Sequence, residues 1–168
     1  MVSEEIVEAS WQEVAGFSAH TAQLHMEQLA RRQRELLTFV TTMTEELSFE
    51  AQKTAIYTFV VICRMFERSS NAPLPKAKHG RIAATYERIN SELGRLLTAD
   101  ERFLERHALM STGSEPWVMR YVSEVLLEPD DPEAQLNDEE IGELFICLKT
   151  VVDVLHEALA KLSQTTRT

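Results

Sequence analysis

The residue types that most often carry chemistry are sparse in this chain, which has five histidines and two cysteines. His20 and His25 lie five residues apart, about 140° around a helix, and therefore do not share a face. Asp153 and His156 lie three residues apart and do share a face. A di-metal centre in a helical bundle needs two Glu-x-x-His pairs with further carboxylates, and the sequence has one Asp-x-x-His. We therefore predict a partly buried His156 and no metal site.

An acidic stretch over residues 128–136 has the composition of a calcium loop. An EF-hand loop requires glycine at its sixth position, where the backbone turns sharply. A loop that starts at Asp130 places Gln135 there. A loop that starts at Asp131 places Leu136 there. The stretch is therefore predicted to be a solvated turn.

Nucleophilic catalysis has no local motif in this sequence, because Gly-x-Ser-x-Gly, Walker and Gly-x-Gly-x-x-Gly patterns are all missing. Cys63 lies within an apolar helical stripe, and Cys147 lies at the edge of another. Cysteine in such a position behaves as a small hydrophobe. We expect two core thiols, with a disulfide between them as the alternative. We assign no catalytic, cofactor-binding or metal-ligating residue.

A basic stripe is the most distinctive polar pattern, and it consists of Lys78, Arg81, Arg88 and Arg95. Residues seven apart drift by only about 20° per step on a helix, so the three arginines project along one line. One interpretation is an ordinary helix flank whose arginine stems cover the core edge, with Arg88 paired to Glu92. The other is a docking stripe for an acidic surface: the acidic carboxy-terminal third of this chain, a second subunit or an external partner.

Composition limits the class of protein. The net charge of −10 disfavours phosphate backbones, and the Arg31–Arg34 cluster has no interleaved aromatic residues, so we predict no nucleic-acid partner. The longest apolar run, residues 59–63, is too short to cross a bilayer. The first residues are acidic, unlike a signal peptide. We expect one cytoplasmic domain over residues 1–168 that does not enter a membrane.

Helical periodicity dominates the chain, and only five glycines and five prolines interrupt it. The fold class predicted is all-α: a single-domain bundle of six or seven helices, mostly antiparallel hairpins, with two or three long ones. A short loop is expected near 69–75 and a frayed tail near 164–168. We predict helices over Ser3–Ala15, Ser18–Leu47, Phe49–Ser69, Lys76–Leu97, Thr98–His107, Ser114–Leu127 and Asp138–Leu162. The predicted helix caps are Ser3, Ser48, Thr98, Ser114 and Asn137.

The leading functional prediction is a non-enzymatic protein that works through protein–protein contacts, including self-association, most simply as a homodimer. Its basis is the width of the apolar stripes at Leu36–Leu37, Phe59–Val61 and Leu126–Leu127, which exceeds what one core contact needs.

The alternative prediction is a bundle that binds a small molecule or a metal, including an enzyme whose site is assembled from dispersed residues. It requires His25, His107 and His156 to converge with acidic side chains in the folded chain.

Overall fold

Seven α-helices make up most of the part of the chain that the computed structural model describes, residues 1–97, 113–129 and 132–165. Those residues contain no strand, and the all-α prediction is confirmed. Three helices are long: α4, α5 and α7 have 22, 19 and 28 residues. The helices are α1 Glu4–Ala15, α2 Ala19–Arg32, α3 Arg34–Thr44, α4 Phe49–Ser70, α5 His79–Leu97, α6 Pro116–Leu127 and α7 Asp138–Thr165, and a 3-10 turn spans Pro132–Ala134.

Side-chain caps define where several helices begin. The hydroxyls of Ser3, Ser18 and Ser48 each accept a hydrogen bond from the amide three residues later, at 3.2–3.4 Å. Asn137 Oδ1 accepts from the Glu140 amide at 2.9 Å. These bonds satisfy amides that have no partner within the helix. The caps predicted at Ser3, Ser48 and Asn137 are confirmed, and the one at Thr98 lies outside the described residues.

The core is organised around α4, which packs against α1, α3, α6 and α7. Phe59, Ile62 and Phe66 are fully or almost fully buried, and so is Val61 on another side of the same helix. A helix with neighbours on several sides must be apolar over a wide arc. The width of this stripe therefore reflects its position inside the bundle and does not by itself require a second subunit.

The predicted long helix over Ser18–Leu47 is wrong, because the chain breaks at Gln33 into α2 and α3. Gln33 has φ −121° and ψ 43°, outside the helical region. Its side chain is 1% exposed, donates to the Pro75 carbonyl at 2.8 Å and accepts from the Ala77 amide at 3.2 Å. These tertiary hydrogen bonds satisfy buried polar groups of the loop before α5, which begins at His79 and not at Lys76.

The predicted Ser114 cap is also wrong. Glu115 occupies the N-cap position of α6, and no side chain caps the helix. Ser114 is exposed, whereas the Glu115 side chain is 2% exposed and accepts a hydrogen bond from the Val2 amide at 2.7 Å. This hydrogen bond attaches the first residues of the chain to the start of α6. Pro116 occupies the first turn of α6, as predicted.

The Glu140 side chain contacts the N-termini of two helices, α4 and α7. One carboxylate oxygen accepts from the Asn137 amide at 3.1 Å, which completes the capping box of α7. The other accepts from the Ser48 amide at 3.0 Å, at the N-cap of α4. One carboxylate thus lies at the positive ends of two long helices, where a negative charge is stabilising. The helix that Glu140 caps runs to Thr165, three residues beyond the predicted end.

Within the described ranges, no helix has both the length and the apolar character needed to span a membrane.

Removing the Gln33 side chain is expected to lower the free energy of unfolding. Gln33→Ala leaves the buried Ala77 amide without its acceptor, which costs about 2–4 kcal/mol together with the lost carbonyl contacts. Urea denaturation measures this. The control Gln23→Ala removes an exposed glutamine of α2 and is expected to change stability by less than about 0.5 kcal/mol. Equal effects of the two substitutions would contradict the assigned role of Gln33.

Glu140→Gln is expected to show a pH-dependent loss of stability. Hydrogen bonds from the Ser48 side chain and from the Asn137 and Ser48 amides lower the pKa of Glu140 below its ordinary value of 4.5. Desolvation raises this pKa but does not cancel the effect. Its stabilisation is therefore complete above pH 4.5 and is lost as pH falls through the lowered pKa. We expect a deficit of about 1–2 kcal/mol at pH 7 that shrinks towards pH 3, measured by urea denaturation. A deficit independent of pH, or the same pH profile for the exposed control Glu139→Gln, would refute the double-cap role.

Candidate functional site

A groove runs along the outer face of α4, between that helix, α2 and the end of α1. We call it the α4 groove, and its volume is about 850 Å³. Its lining is mainly apolar and consists of Val14, Ala15, Phe17, Ala22, Met26, Phe49, Gln52, Lys53, Ile56, Tyr57 and Val60. A concave, mainly apolar surface of this size is typical of a binding site.

The floor of the α4 groove comes from one face of α4. Phe49, Ile56 and Val60 are seven and four residues apart, with Tyr57 beside them, so they project to the same side. Ile56 and Val60 on this face are only partly buried, because they pack against the core on one side and line the groove on the other. Phe49 is 75% exposed and Tyr57 is 41% exposed, which is a high exposure for two aromatic side chains of one helix.

The groove stays open because α2 lies at the edge of the bundle. Leu29 is the one buried residue of α2, and the helix packs mainly against α3, its neighbour in sequence. The rings of Phe17 and His25 are tilted by 32° with centroids 4.9 Å apart, so the second turn of α2 packs on the segment that links it to α1. The other large apolar side chains of α2 are Met26, which is half-buried, and Leu24, which is 46% exposed.

A second cavity, which we call the acidic cleft, continues the groove towards α6. The two share Ala15, Lys53 and Tyr57, and the cleft has a volume of about 610 Å³. Its other lining residues are Glu8, Trp11, Thr54, Tyr121, Glu124, Val125, Glu128 and Pro129. The lining thus combines three carboxylates with the aromatic rings of Trp11, Tyr57 and Tyr121.

The charges of the acidic cleft are unbalanced. Glu8 accepts hydrogen bonds from neutral donors, Trp11 Nε1 at 3.2 Å and Gln12 Nε2 at 2.6 Å, so its charge is oriented but not neutralised. Lys53 is the one cation among the described lining residues, and its Nζ lies 3.0 Å from Glu50 Oε2. A partner that lies over this surface therefore meets negative charge beside aromatic rings.

The predicted basic stripe lies elsewhere, along the contact between α5 and α7. Arg81 Nη1 is 2.9 Å from Glu157 Oε2, and Arg88 Nη2 is 3.1 Å from Asp153 Oδ2. Lys78 is exposed, and the side chain of Arg95 lies outside the described part of the structure. The two arginines thus face acidic side chains of the carboxy-terminal helix, which is one of the docking partners weighed from the sequence.

Asp153 and His156 do not act as a pair. Asp153 is 8% exposed and interacts with both Arg88 and Lys149, whose Nζ lies 3.2 Å from each carboxylate oxygen. His156 turns its Nδ1 to Glu115 Oε1 at 2.7 Å. The carboxylate orients the imidazole, but no hydrogen bond connects His156 to Ser114, which lines the same cavity, so no activated nucleophile results there.

Two of the three histidines named for an assembled site, His25 and His156, do not meet. His25 lines a small cavity beside Arg64 and Glu67, whereas His156 lines a cavity between α5 and α7. His107 lies outside the described residues, as do Asp130 and Asp131 of the acidic loop. Among the side chains that are described, no three histidines, cysteines or carboxylates are grouped so that they could hold a metal ion.

Both cysteines are buried and free. Burial, with a contribution from Glu67, raises the pKa of the Cys63 thiol well above its ordinary value. Burial, with a contribution from Glu143, raises the pKa of Cys147 to about 12. The thiolate is the reactive form of cysteine, so these side chains are core residues and poor nucleophiles.

Comparison with known proteins does not assign a function to these cavities. Neither a family model, nor a curated protein, nor a solved structure matches the chain. The α4 groove and the acidic cleft are therefore the features from which function is inferred. Sequence reasoning missed both, although the spacing of Phe49, Ile56 and Val60 along α4 is the signal of an apolar face.

A double-mutant cycle between Arg88 and Asp153 is expected to give a coupling of roughly 0.5–1 kcal/mol in the free energy of unfolding. Burial of Asp153 strengthens the pair, and the partial exposure of Arg88 limits that gain. The matched control cycles Arg88 with Glu92, which is 61% exposed at 3.7 Å, and is expected to give a smaller coupling. A coupling between Arg88 and Asp153 that does not exceed the control would show that this α5–α7 ion pair does not stabilise the fold.

Proposed function

We propose that this protein is a non-enzymatic interaction domain that binds an amphipathic helix of another protein in the α4 groove. The observation that carries the proposal is the 75% exposure of Phe49 at one end of an apolar groove. Isolated exposed apolar residues are common, but an exposed aromatic that continues into a concave apolar surface marks an interaction site.

The dimensions of the groove suit a helix. The α4 residues that line it extend from Phe49 to Val60, about 16 Å along the helix axis at 1.5 Å per residue. That length corresponds to about three turns of a bound helix, which would present residues at i, i+3 or i+4 and i+7 to the groove. The apolar side chains of the partner would then cover Phe49, Ile56 and Val60.

A second copy of the chain fits this surface less well. The acidic cleft adjoins the groove, and two copies that pair through this face bring like charges together. The wide apolar stripes on which the homodimer prediction was based are largely used within the bundle: Leu36, Phe59, Val61 and Leu126 are buried. Self-association stays a prediction, and sedimentation at micromolar concentration tests it.

We also propose a cytoplasmic location. Support comes from Cys63 and Cys147, which are free thiols, as is usual in a reducing compartment.

The proposed function is tested with a synthetic helical peptide of about 18 residues that has leucine along one face and glutamine and alanine elsewhere. The peptide is expected to bind the protein, and Phe49→Ala is expected to weaken binding by about tenfold or more, because the partner loses an aromatic contact worth about 1.5–3 kcal/mol. Fluorescence anisotropy of the labelled peptide measures the dissociation constant.

The matched control is Leu162→Ala, which truncates another exposed apolar residue, 47% exposed and outside the groove, on α7. It is expected to leave peptide affinity within about twofold, and neither substitution should lower the free energy of unfolding by more than about 0.5 kcal/mol. Lack of peptide binding, or equal weakening by the two substitutions, would refute the groove as the binding site. A dimer that dissociates on Phe49→Ala would instead assign the groove to a second copy.

A further inference from the structure

The geometry points to a basic partner: we infer that the helix bound in the α4 groove carries lysine or arginine residues that lie over the acidic cleft. This inference rests on the proposed function and adds the charge of the partner to it. Its basis is the continuity of the apolar groove with a surface of excess negative charge, through Ala15, Lys53 and Tyr57.

Three carboxylates give the cleft its charge: Glu8 on α1, Glu124 on α6 and Glu128 just after α6. Arg120 Nε lies 2.9 Å from Glu124 Oε1, and the Nη1 of the same arginine lies 3.7 Å from Glu4 Oε1. Arg120 therefore offsets part of the charge of Glu124, and Lys53 is paired with Glu50, but these two cations face five carboxylates: Glu4, Glu8, Glu50, Glu124 and Glu128. The net field that a bound helix meets is therefore negative.

Two further features suit cationic side chains. α6 ends at Leu127, so the negative end of its dipole lies beside Glu124 and Glu128. The rings of Trp11 and Tyr57 also line the cleft, and an aromatic face attracts a lysine ammonium or an arginine guanidinium. Carboxylates, a helix carboxyl end and aromatic rings favour the same kind of ligand group.

The groove and the cleft together define how the partner lies. Its apolar face covers Phe49, Ile56 and Val60, and its basic residues project sideways across Tyr57 towards α1 and α6. A partner helix with acidic residues on that side would bring like charges together beside the apolar contact. The chain thus selects basic amphipathic helices both by attraction and by repulsion of acidic ones.

The test compares three synthetic peptides with the same leucine face and with lysine, glutamine or glutamate on the polar face. We expect the lysine peptide to bind about tenfold more tightly than the glutamine peptide at low ionic strength and the glutamate peptide to bind most weakly. The advantage of lysine should shrink as salt is raised, because exposed charges are screened. Fluorescence anisotropy gives the three dissociation constants.

Glu→Gln substitutions test whether the advantage of the lysine peptide depends on the acidic cleft. The triple variant Glu8→Gln, Glu124→Gln, Glu128→Gln is expected to remove most of the lysine advantage and to leave the affinity for the glutamine peptide within about twofold. The control variant Glu87→Gln, Glu139→Gln, Glu143→Gln makes the same change in net charge at exposed positions on α5 and α7. It is expected to retain the lysine advantage, which separates a local effect from the net charge of the whole protein.

The outcomes separate this inference from the proposed function. Equal binding of the lysine and glutamine peptides, both weakened by Phe49→Ala, overturns the basic partner and leaves the groove function standing. Equal loss of the lysine advantage in the two triple variants also overturns it, because the preference then follows net charge alone. If none of the peptides binds, both proposals fail.

Discussion

The burial of α4 is the constraint on which the rest of this structure depends. Phe59, Ile62 and Phe66 are at most 1% exposed, and the helix that carries them contacts α1, α3, α6 and α7. Each fully buried apolar side chain contributes roughly 1.5–3 kcal/mol relative to an exposed one, so the central helix supplies a large share of the stabilisation. The other helices are arranged to exclude water from this one.

The same arrangement explains why the apolar groove exists. α1 and α3 pack on α4, but α2 is separated from α3 by the break at Gln33 and contributes one buried residue, Leu29. α2 therefore lies at the edge and leaves part of the α4 surface uncovered. The break at Gln33 thus has two consequences. The Gln33 side chain is buried, where it hydrogen-bonds to the loop before α5, and Phe49 stays exposed.

Charge is divided between two surfaces of the molecule. Between α5 and α7, Arg81 and Arg88 face Glu157 and Asp153, so these two arginines of the basic stripe are paired within the fold. In the acidic cleft the carboxylates outnumber the cations. The second surface has unbalanced charge beside apolar area, which is the combination that favours association with a charged partner. That contrast directs the functional proposal to the groove and away from the arginine stripe.

Local interactions made much of the fold predictable from the sequence. Apolar periodicity and the caps at Ser3, Ser48 and Asn137 depend on residues within about one turn of each other, and they give the helical class and several helix starts. The break at Gln33, the use of Glu115 and the second bond of Glu140 depend on partners 42, 113 and 92 residues away, and only the tertiary structure decided them. The groove belongs to this second group, because periodicity shows that Phe49 and Ile56 share an apolar face but packing decides whether another helix covers it.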